Sequence, residues 1–596
     1  MNESRPDVDR LIATAPAVAQ WGSDHIADVM RALGFEYVAL TPGASFRGLH
    51  DSLVNYLGNA RPGMLLALHE ESAVAIAHGY AKVTGKPLGV VLHSNVGLLH
   101  ASMAIFNAWC ERVPMLIYGG NGPMDAAARR PWVDWMHTCT DQAALVRHYI
   151  KWDNQPASLA ATAEAMLRAA MIAQTPPCAP TYVIFDSTLQ EEKLEKPLAI
   201  PDVARYQAPP PAWPAPDLVR QAAALLSQAK RPLILAGRGS RSLEAWENRI
   251  ALAEALDARV MTSLRTAAAF PSDHRLHAGR PIKFLNDFAR DTVRDADVIL
   301  SLDWVDLGGL LAHAWKSDPV KAAVIQASVD VQVHSGFGME HLALPAVDLN
   351  LLADADSATT ALLAELRAIR PARPRAAVAT KSSSPAPAQP SSEGIGVRAL
   401  AGAINAIAAE QDTCLIRLNL GWPADMTRYD HPLDYLGGDG GGGIGAGPGL
   451  AIGAALALRD TGRLPLAVLG DGDFIMGVSA LWTATHAKIP LLVVIANNRS
   501  FFNDEMHQER MARQRGRPVE NRWIGQRMDE PAIDLAAMAR AQGAVALGPV
   551  TSVGDMEPAL RDAVAKTRAG AVVVVEIAVR AEYDDTIART MVRGSQ

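Results

Sequence analysis

Short apolar runs alternate with amphipathic stretches along most of the chain, the order expected of parallel sheets covered by helices on both faces. Tyr37–Leu40, Met64–Leu68, Leu88–Leu92 and Met115–Tyr118 read as strands. The turn Thr41-Pro42-Gly43 opens a helix over Phe46–Tyr56. His69-Glu70-Glu71 opens another that runs through Lys82, where Gly85 and then Pro87 stop it. A second set of strands falls at Pro232–Ala236, Ala258–Thr262, Val298–Leu302 and Ala323–Ala327. A third begins with Leu464–Leu469, continues as a helix over Phe474–Lys488 with Phe474, Val478, Leu481, Trp482 and Thr485 along one side, and ends in the strand Ile489–Ala496.

Two breaks divide these sets. Pro209–Pro216 is proline-rich and reads as a linker, and residues 371–393 are rich in Pro, Ala and Ser, too poor in apolar bulk to offset their ordering entropy. The chain therefore predicts an α/β protein of three doubly wound domains with mainly parallel sheets, at 16–190, 212–368 and 396–596. The segment NAWCERVPMLIYGG in the first and TATHAKIPLLVVIANN in the last share a pattern of helix end, basic residue, β-branched residue, proline and apolar strand, so these two domains read as related. In the middle domain, Ala236-Gly237-Arg238-Gly239-Ser240 resembles a nucleotide-binding turn but lacks the full glycine fingerprint and a following acid, which favours a structural Rossmann-like unit.

A net charge of -7 argues against nucleic acid or an anionic membrane as partner. Cys110, Cys139, Cys178 and Cys414 are scattered, the N-terminal segment MNESRPDVDR is polar, and no apolar run reaches the length of a membrane span. A cytoplasmic enzyme is expected.

The strongest candidate chemistry is Gly470-Asp471-Gly472, followed by Asn497-Asn498. An acid leaving one parallel strand and an amide leaving the next meet at the carboxyl edge of the sheet, where open α/β folds place ligands. Mg²⁺ takes oxygen ligands in octahedral geometry and commonly shares them with a phosphate. Asp471 offers a carboxylate oxygen, Asn498 an amide oxygen and the main chain near Ser500 a carbonyl, while Gly470 and Gly472 let the backbone approach closely. This GDG and NN pair resembles the thiamine diphosphate (ThDP) motif of the acetolactate synthase, pyruvate decarboxylase and benzoylformate decarboxylase superfamily.

The resemblance names the domains as pyrimidine-binding, central Rossmann-like and diphosphate-binding, with ThDP and Mg²⁺ as cofactors and FAD not favoured. It extends to HEESAVAIAHGYAKVTGKP, where Glu70 matches the carboxylate that bonds N1′ of the ThDP aminopyrimidine. A carboxylate can hold and pass the proton that sets the aminopyrimidine tautomer, which an amide cannot. In GGDGGGGIGAGPGLAIGAALAL, Ile444 matches the apolar wedge beneath the two cofactor rings. His93, in VVLHSNVG, resembles the histidine of benzoylformate decarboxylase that donates and accepts protons at the reacting centre, a task suited to an imidazole.

Three features depart from the family pattern. Ala44, not Ser, follows Pro42-Gly43, with Ser45 next, so the hydroxyl that would orient a substrate carboxylate is missing or displaced. Asp473 stands where Ser commonly follows GDG, a carboxylate that must turn from diphosphate or join the metal shell. Arg510, Arg513, Arg515, Arg517 and Arg522 follow the metal motif as a solvated basic segment or a lid for an anionic substrate. The resemblance implies cleavage or formation of a carbon–carbon bond beside a carbonyl, in a 2-oxo acid, 2-hydroxy ketone or acyl substrate. The lead is a 2-oxo acid decarboxylase or carboligase; an acetolactate-synthase-like transferase, a 2-hydroxyacyl-CoA-lyase-like enzyme and a non-catalytic homologue stay open. It also implies a dimer or tetramer in which Glu70 of one subunit meets Asp471 of another.

Overall fold

The computed structural model describes residues 7–13, 18–283, 285–316, 318–332, 342–369, 394–438 and 440–583. The segment expected to link the second and third domains, 371–393, lies outside them.

Each apolar run becomes a buried parallel strand. The first sheet holds β1 (Tyr37–Leu40), β2 (Gly63–Leu66), β3 (Gly89–Leu92), β4 (Met115–Asn121), β5 (Trp152–Asn154) and β6 (Pro180–Asp186), in the order β2-β1-β3-β4-β6-β5. The middle sheet holds β7 (Pro232–Ala236), β8 (Arg259–Thr262), β9 (Val298–Leu302), β10 (Ala323–Ala327) and β11 (Leu349–Leu351), in the order β11-β10-β9-β7-β8. The last holds β12 (Thr413–Arg417), β13 (Leu464–Gly470), β14 (Leu491–Asn497), β15 (Val545–Val550) and β16 (Val572–Ala578), in the order β12-β13-β14-β16-β15. The described residues thus form three α/β units with parallel sheets, as the apolar pattern predicts.

The repeat read from sequence has a structural counterpart. With β2 set aside, the first sheet runs β1-β3-β4-β6-β5, the same succession as the last. The repeat segments place β4 and β14 at the same position in it. In each, the basic residue before the proline, Arg112 or Lys488, takes a left-handed backbone, with φ of 60° and 50°. The middle turn is filled by its own arginine: Arg238 pairs with Asp303 at 2.8 Å and with Asp330, and Asp330 also holds Arg112 of the first unit at 2.7 Å.

First and last units meet through two helices, Glu70–Thr84 and Gly447–Leu458, the second started by Pro448 as expected. Their backbones touch because three glycines leave room. A Cβ on Gly79 would fall 2.0 Å from the Leu450 carbonyl, one on Gly453 1.8 Å from that of Ile76, and one on Gly449 2.7 Å from the Ala75 methyl. Thr483 adds a bond of 2.7 Å to the carbonyl of Leu66, at the end of β2.

Three elements differ from expectation. Phe46–Tyr56 is a 3-10 turn at Ala44–Phe46, an α segment at Arg47–Asp51 and a π turn at Ser52–Tyr56. The strand expected to reach Leu68 stops at Leu66, and Leu68 is exposed. The helix expected over Phe474–Lys488 is two, Asp471–Gly477 and Ala480–His486. It begins earlier because Asp471 and Asp473 occupy the first turn, where carboxylates suit the helix dipole. It breaks near Gly477, which is pressed so close to the Gly445 carbonyl that a Cβ would lie 2.1 Å from it.

Candidate active site

The carboxyl ends of β12, β13 and β14 lie side by side and carry Asn419, Asp471 and Asn498 just beyond them. Gly470 caps the Asp471–Gly477 helix, and the space its missing side chain leaves is open for at least 4 Å. Asp471 is buried; one carboxylate oxygen accepts from the amide of Gly472 at 2.8 Å and the other from that of Ser500 at 3.3 Å. Burial pushes this carboxyl up from its ordinary value, against the amides of Gly472, Arg499 and Ser500, which pull it down. Arg499 turns left-handed at φ 57°, so that the Ser500 amide also reaches Asn498 Oδ1 at 3.0 Å. The Ser500 hydroxyl donates to fully buried Glu505 at 2.5 Å, which pins this turn to the Phe502–Gln514 helix. Asp471, Asn498 and Ser500 therefore form one cluster of oxygen donors. Beyond the end of β12, the shielded Oδ1 of Asn419 has no hydrogen-bond partner among the described residues.

Asp473 turns away from that cluster. Its Oδ1 accepts from the amides of Gly445 at 2.7 Å and Gly447 at 3.2 Å, and its Oδ2 pairs with Arg417 at 2.9 Å. The carboxylate thus closes the glycine-rich loop just after Ile444. Ile444 itself is 38 % exposed rather than packed in a core.

Glu70 begins its helix at the end of β2, behind His69, which caps the helix by accepting from the Glu71 amide at 3.2 Å. Its carboxylate lies against the next helix of the first unit, Ser94–Cys110, where Gly97 makes the space: a Cβ there would lie 3.1 Å from Glu70 Cγ. One helical turn on, His100 Nδ1 stands 3.1 Å from Glu70 Oε2. Glu71 is half-buried, and burial together with Asp473 raises its carboxyl above the ordinary value.

His93 ends β3, and Gly43 lies so close that a Cβ would come within 2.3 Å of its ring. Ser45, one residue past the position where the family pattern has its hydroxyl, faces His93. The Ser45 amide points at His93 Nδ1 at 3.3 Å, and its hydroxyl sits 2.9 Å from the same atom while accepting from the Ser94 amide at 3.1 Å. Nδ1 is therefore the acceptor, and the ring proton of the neutral imidazole belongs on Nε2. Burial lowers the His93 pKa from its usual value and nearby His137 lowers it further, with Glu70 opposing. The His137 ring meets the His93 ring edge-on, 4.6 Å between centroids.

Family models match the chain in three consecutive stretches: the N-terminal TPP binding domain of thiamine pyrophosphate enzymes over 20–145, their central domain over 219–362 and their C-terminal TPP binding domain over 419–577. The chain belongs to the thiamine diphosphate-dependent enzyme superfamily. This ThDP enzyme is 26% identical to the benzoylformate decarboxylase of Pseudomonas aeruginosa over 524 residues, covering 85% of this chain and 90% of that one. It is 25% identical to the large subunit of acetolactate synthase isozyme 1 from Escherichia coli, over 80% of this chain and 82% of that one. Among solved structures, benzoylformate decarboxylase from Polynucleobacter necessarius superimposes with a TM-score of 0.74 at 20% identity, covering 95% of this chain and all of the other, a likeness of fold.

Other parts of the ThDP enzyme bear on the site in ways the sequence does not signal. His100, His137, Asn419 and Arg417 acquire their roles only through tertiary contact. Tyr583, beyond the last strand, packs edge-on against Phe502 at 5.0 Å, and its hydroxyl is pushed up by burial and by Asp504 and Asp471. Of the basic segment, Arg513 pairs with Glu509 at 2.7 Å and Arg522 with Glu509 at 3.2 Å, while Arg510, Arg515 and Arg517 are exposed. Trp109 and Trp422 are core residues, whereas Trp132 and Trp135 stand in solvent.

Proposed function

We propose that this ThDP enzyme cleaves or forms the carbon–carbon bond beside a carbonyl, with Mg²⁺ and with a 2-oxo acid as the leading substrate class. Bound ThDP supplies an electron sink for the carbanion equivalent left by bond cleavage. The donor chemistry of Asp471, Asn498 and the Ser500 main chain fits Mg²⁺ and a diphosphate. Glu70 would hold the aminopyrimidine proton, and Ile444, exposed on a loop held by Asp473, would support the cofactor rings from below. The family resemblance supports a site completed by a second copy of the chain in a dimer or tetramer.

The observation that carries the decarboxylase and carboligase reading is the Ser45–His93 pair beside the Pro42-Gly43 turn. A neutral imidazole with its proton on Nε2 can donate to an alkoxide or carbanion and later take the proton back. Nothing in this reading calls for FAD, since Arg238 and its two carboxylates fill the middle turn. Exposed Arg510, Arg515 and Arg517 favour a second reading, a lyase acting on an anionic acyl-CoA. A panel of aromatic, branched and short 2-oxo acids, with and without an acceptor aldehyde, and of 2-hydroxyacyl-CoA thioesters separates the two when CO₂, aldehyde and hydroxy ketone are all measured with added ThDP and Mg²⁺. Turnover of acyl-CoA substrates alone would replace the lead by the second reading, and turnover of nothing in a broad panel would favour a non-catalytic homologue. Glu70→Gln is expected to lower turnover by about 10²-fold or more with the fold intact.

A further inference from the structure

We propose that Arg265 and Lys283, between the middle and last units, receive a second anionic group of the substrate, distal to its reacting carbonyl; the inference rests on the reading of the site given above. The carboxyl edges of two parallel sheets meet here, the edge at which such sheets present ligand-binding side chains. From the middle unit, Ser263 just past β8 bridges to Ile282, and the Leu264 amide donates to the Ile282 carbonyl at 2.9 Å. That pairing sets Arg265 and Lys283 on adjoining segments. From the last unit come Arg417, which ends β12, and Asn419 and Leu420 just beyond it. The Tyr435 hydroxyl donates to the Leu264 carbonyl at 3.0 Å and the Gly438 amide to that of Arg265 at 3.3 Å, so the two units are bonded together at this edge.

Charge is unbalanced between them. Lys283 is partly buried and spends two of its three N–H bonds on main-chain carbonyls, those of Asn419 at 3.2 Å and of Leu420. The charged groups that act on it, Arg265 and Arg417, are both cations. Arg417 pairs with Asp473 at 2.9 Å, and that carboxylate is already shared with the amides of Gly445 and Gly447. Among the described residues no carboxylate pairs with Lys283 or Arg265, and the Arg265 guanidinium makes no hydrogen bond. A shielded ammonium repelled by its neighbours is costly unless an anion joins it. Burial and the two cations together push the Lys283 pKa down to about 7. An arriving carboxylate or phosphate finds the third ammonium N–H and a planar guanidinium fork. The strand β12 lies beside β13, whose end carries Asp471, so an anion held here can belong to a molecule that also reaches the cofactor site. All of these groups belong to one chain, and burial against a second copy would raise the need for a counter-charge.

Steady-state kinetics with ThDP and Mg²⁺ test this on two kinds of anion. For a carboxylate, 2-oxo diacids of increasing length are each set against an analogue whose terminal carboxylate is replaced by an uncharged isopropyl group. For a phosphate, 2-hydroxyacyl-CoA thioesters are set against the same acyl groups on pantetheine, which lacks the phosphates. The wild type should prefer the anionic member of one kind of pair by about tenfold or more in kcat/KM, mainly through KM. Arg265→Gln, which breaks no side-chain bond among the described residues, and Lys283→Met should each cut that preference by about tenfold, and Arg265→Lys should recover part of it. No preference for either anion in the wild type, or a preference that Arg265→Gln leaves intact, overturns the inference while the proposed reaction stands. Turnover of no substrate at all overturns both. Sedimentation of the same variants adds one check: an assembly smaller than that of the wild type would assign the missing counter-charge to a second copy and overturn the inference.

Discussion

Asp473 and Gly445 are joined by a hydrogen bond of 2.7 Å from the glycine amide to the carboxylate Oδ1, across the start of one helix and the loop that carries Ile444. The same carboxylate reaches the Gly447 amide and the Arg417 guanidinium, so it ties the end of β12 and the glycine-rich loop to the helix that begins at Asp471. A serine could accept one of these bonds, but it could not also neutralise a nearly buried guanidinium. The residue that departs from the family pattern thus maintains the loop's conformation from behind.

Replacing Asp473 should therefore injure the protein in two separable ways. Asp473→Ala leaves two amides without their acceptor and a guanidinium without this counter-charge, at a cost on the order of 3 kcal/mol in folding stability. Asp473→Asn keeps an acceptor for the amides and should cost less. Both should weaken ThDP binding, because the loop beside Ile444 loosens. Urea unfolding together with ThDP titration gives the two quantities; a stable Asp473→Ala protein with unaltered ThDP affinity would show the clamp to be dispensable.

Ile444 gives the opposite signature. A core isoleucine cut to alanine costs several kcal/mol, whereas this one is already 38 % exposed and Ile444→Ala should cost less than about 1 kcal/mol. Turnover with saturating ThDP should nonetheless fall by at least about tenfold, since the wedge acts on the cofactor's shape and not on the fold. Thermal unfolding and kcat, measured on the same preparation, decide it: a large drop in Tm with normal kcat would return Ile444 to the core.

What the sequence revealed and what it hid divide along the range of the interactions. Asp471, Asn498 and Ser500 are placed by the ends of two apolar strands and one tight turn, so their meeting follows from local pattern. The parallel order of the sheets follows in the same way, and the paired left-handed residues Arg112 and Lys488 ratify a repeat readable in the segments around Pro114 and Pro490. Asp473 could be recognised as odd, but its partners stand 28 and 26 positions upstream, and no local rule selects them. His100 is likewise separated from Glu70 by 30 positions and a strand. The break at Gly477 arises from the approach of the Gly445 carbonyl, a tertiary contact that helix propensity does not contain.

The Ser45–His93 pair sets an expectation for pH. Burial and His137 hold the His93 pKa below the ordinary 6.5, and Ser45 favours the neutral ring by donating to Nδ1. A histidine with a depressed folded pKa stays neutral above its unfolded value and is lost to protonation only as pH falls through the lower folded value. The acid limb of kcat/KM attributable to His93 should lie below pH 6.5, and Ser45→Ala should move it upward by removing the donor that favours the neutral ring. His93→Ala should abolish that limb along with most of the turnover. A limb that persists unchanged in His93→Ala would assign it to another group.

Asp471 completes the set, because its carboxylate is unfavourable to the empty protein and needed by the loaded one. Burial is the largest influence on it and raises its pKa, against the amides of Gly472, Arg499 and Ser500. Asp471→Asn preserves the shape and removes the buried charge, but its one amide oxygen can accept from the Gly472 amide or the Ser500 amide and not from both. These effects oppose each other, so the cofactor-free variant should unfold close to the wild-type temperature. The two should diverge when Mg²⁺ and ThDP are added: the wild type gains stability through ligand linkage, about 2.7 kcal/mol at a hundredfold excess over Kd, and Asp471→Asn gains little. Chelating the metal from the loaded wild type should erase the same increment. Scanning calorimetry on both proteins, with and without Mg²⁺ and ThDP, measures the difference directly. Equal stabilisation of variant and wild type would mean that the metal is held without Asp471.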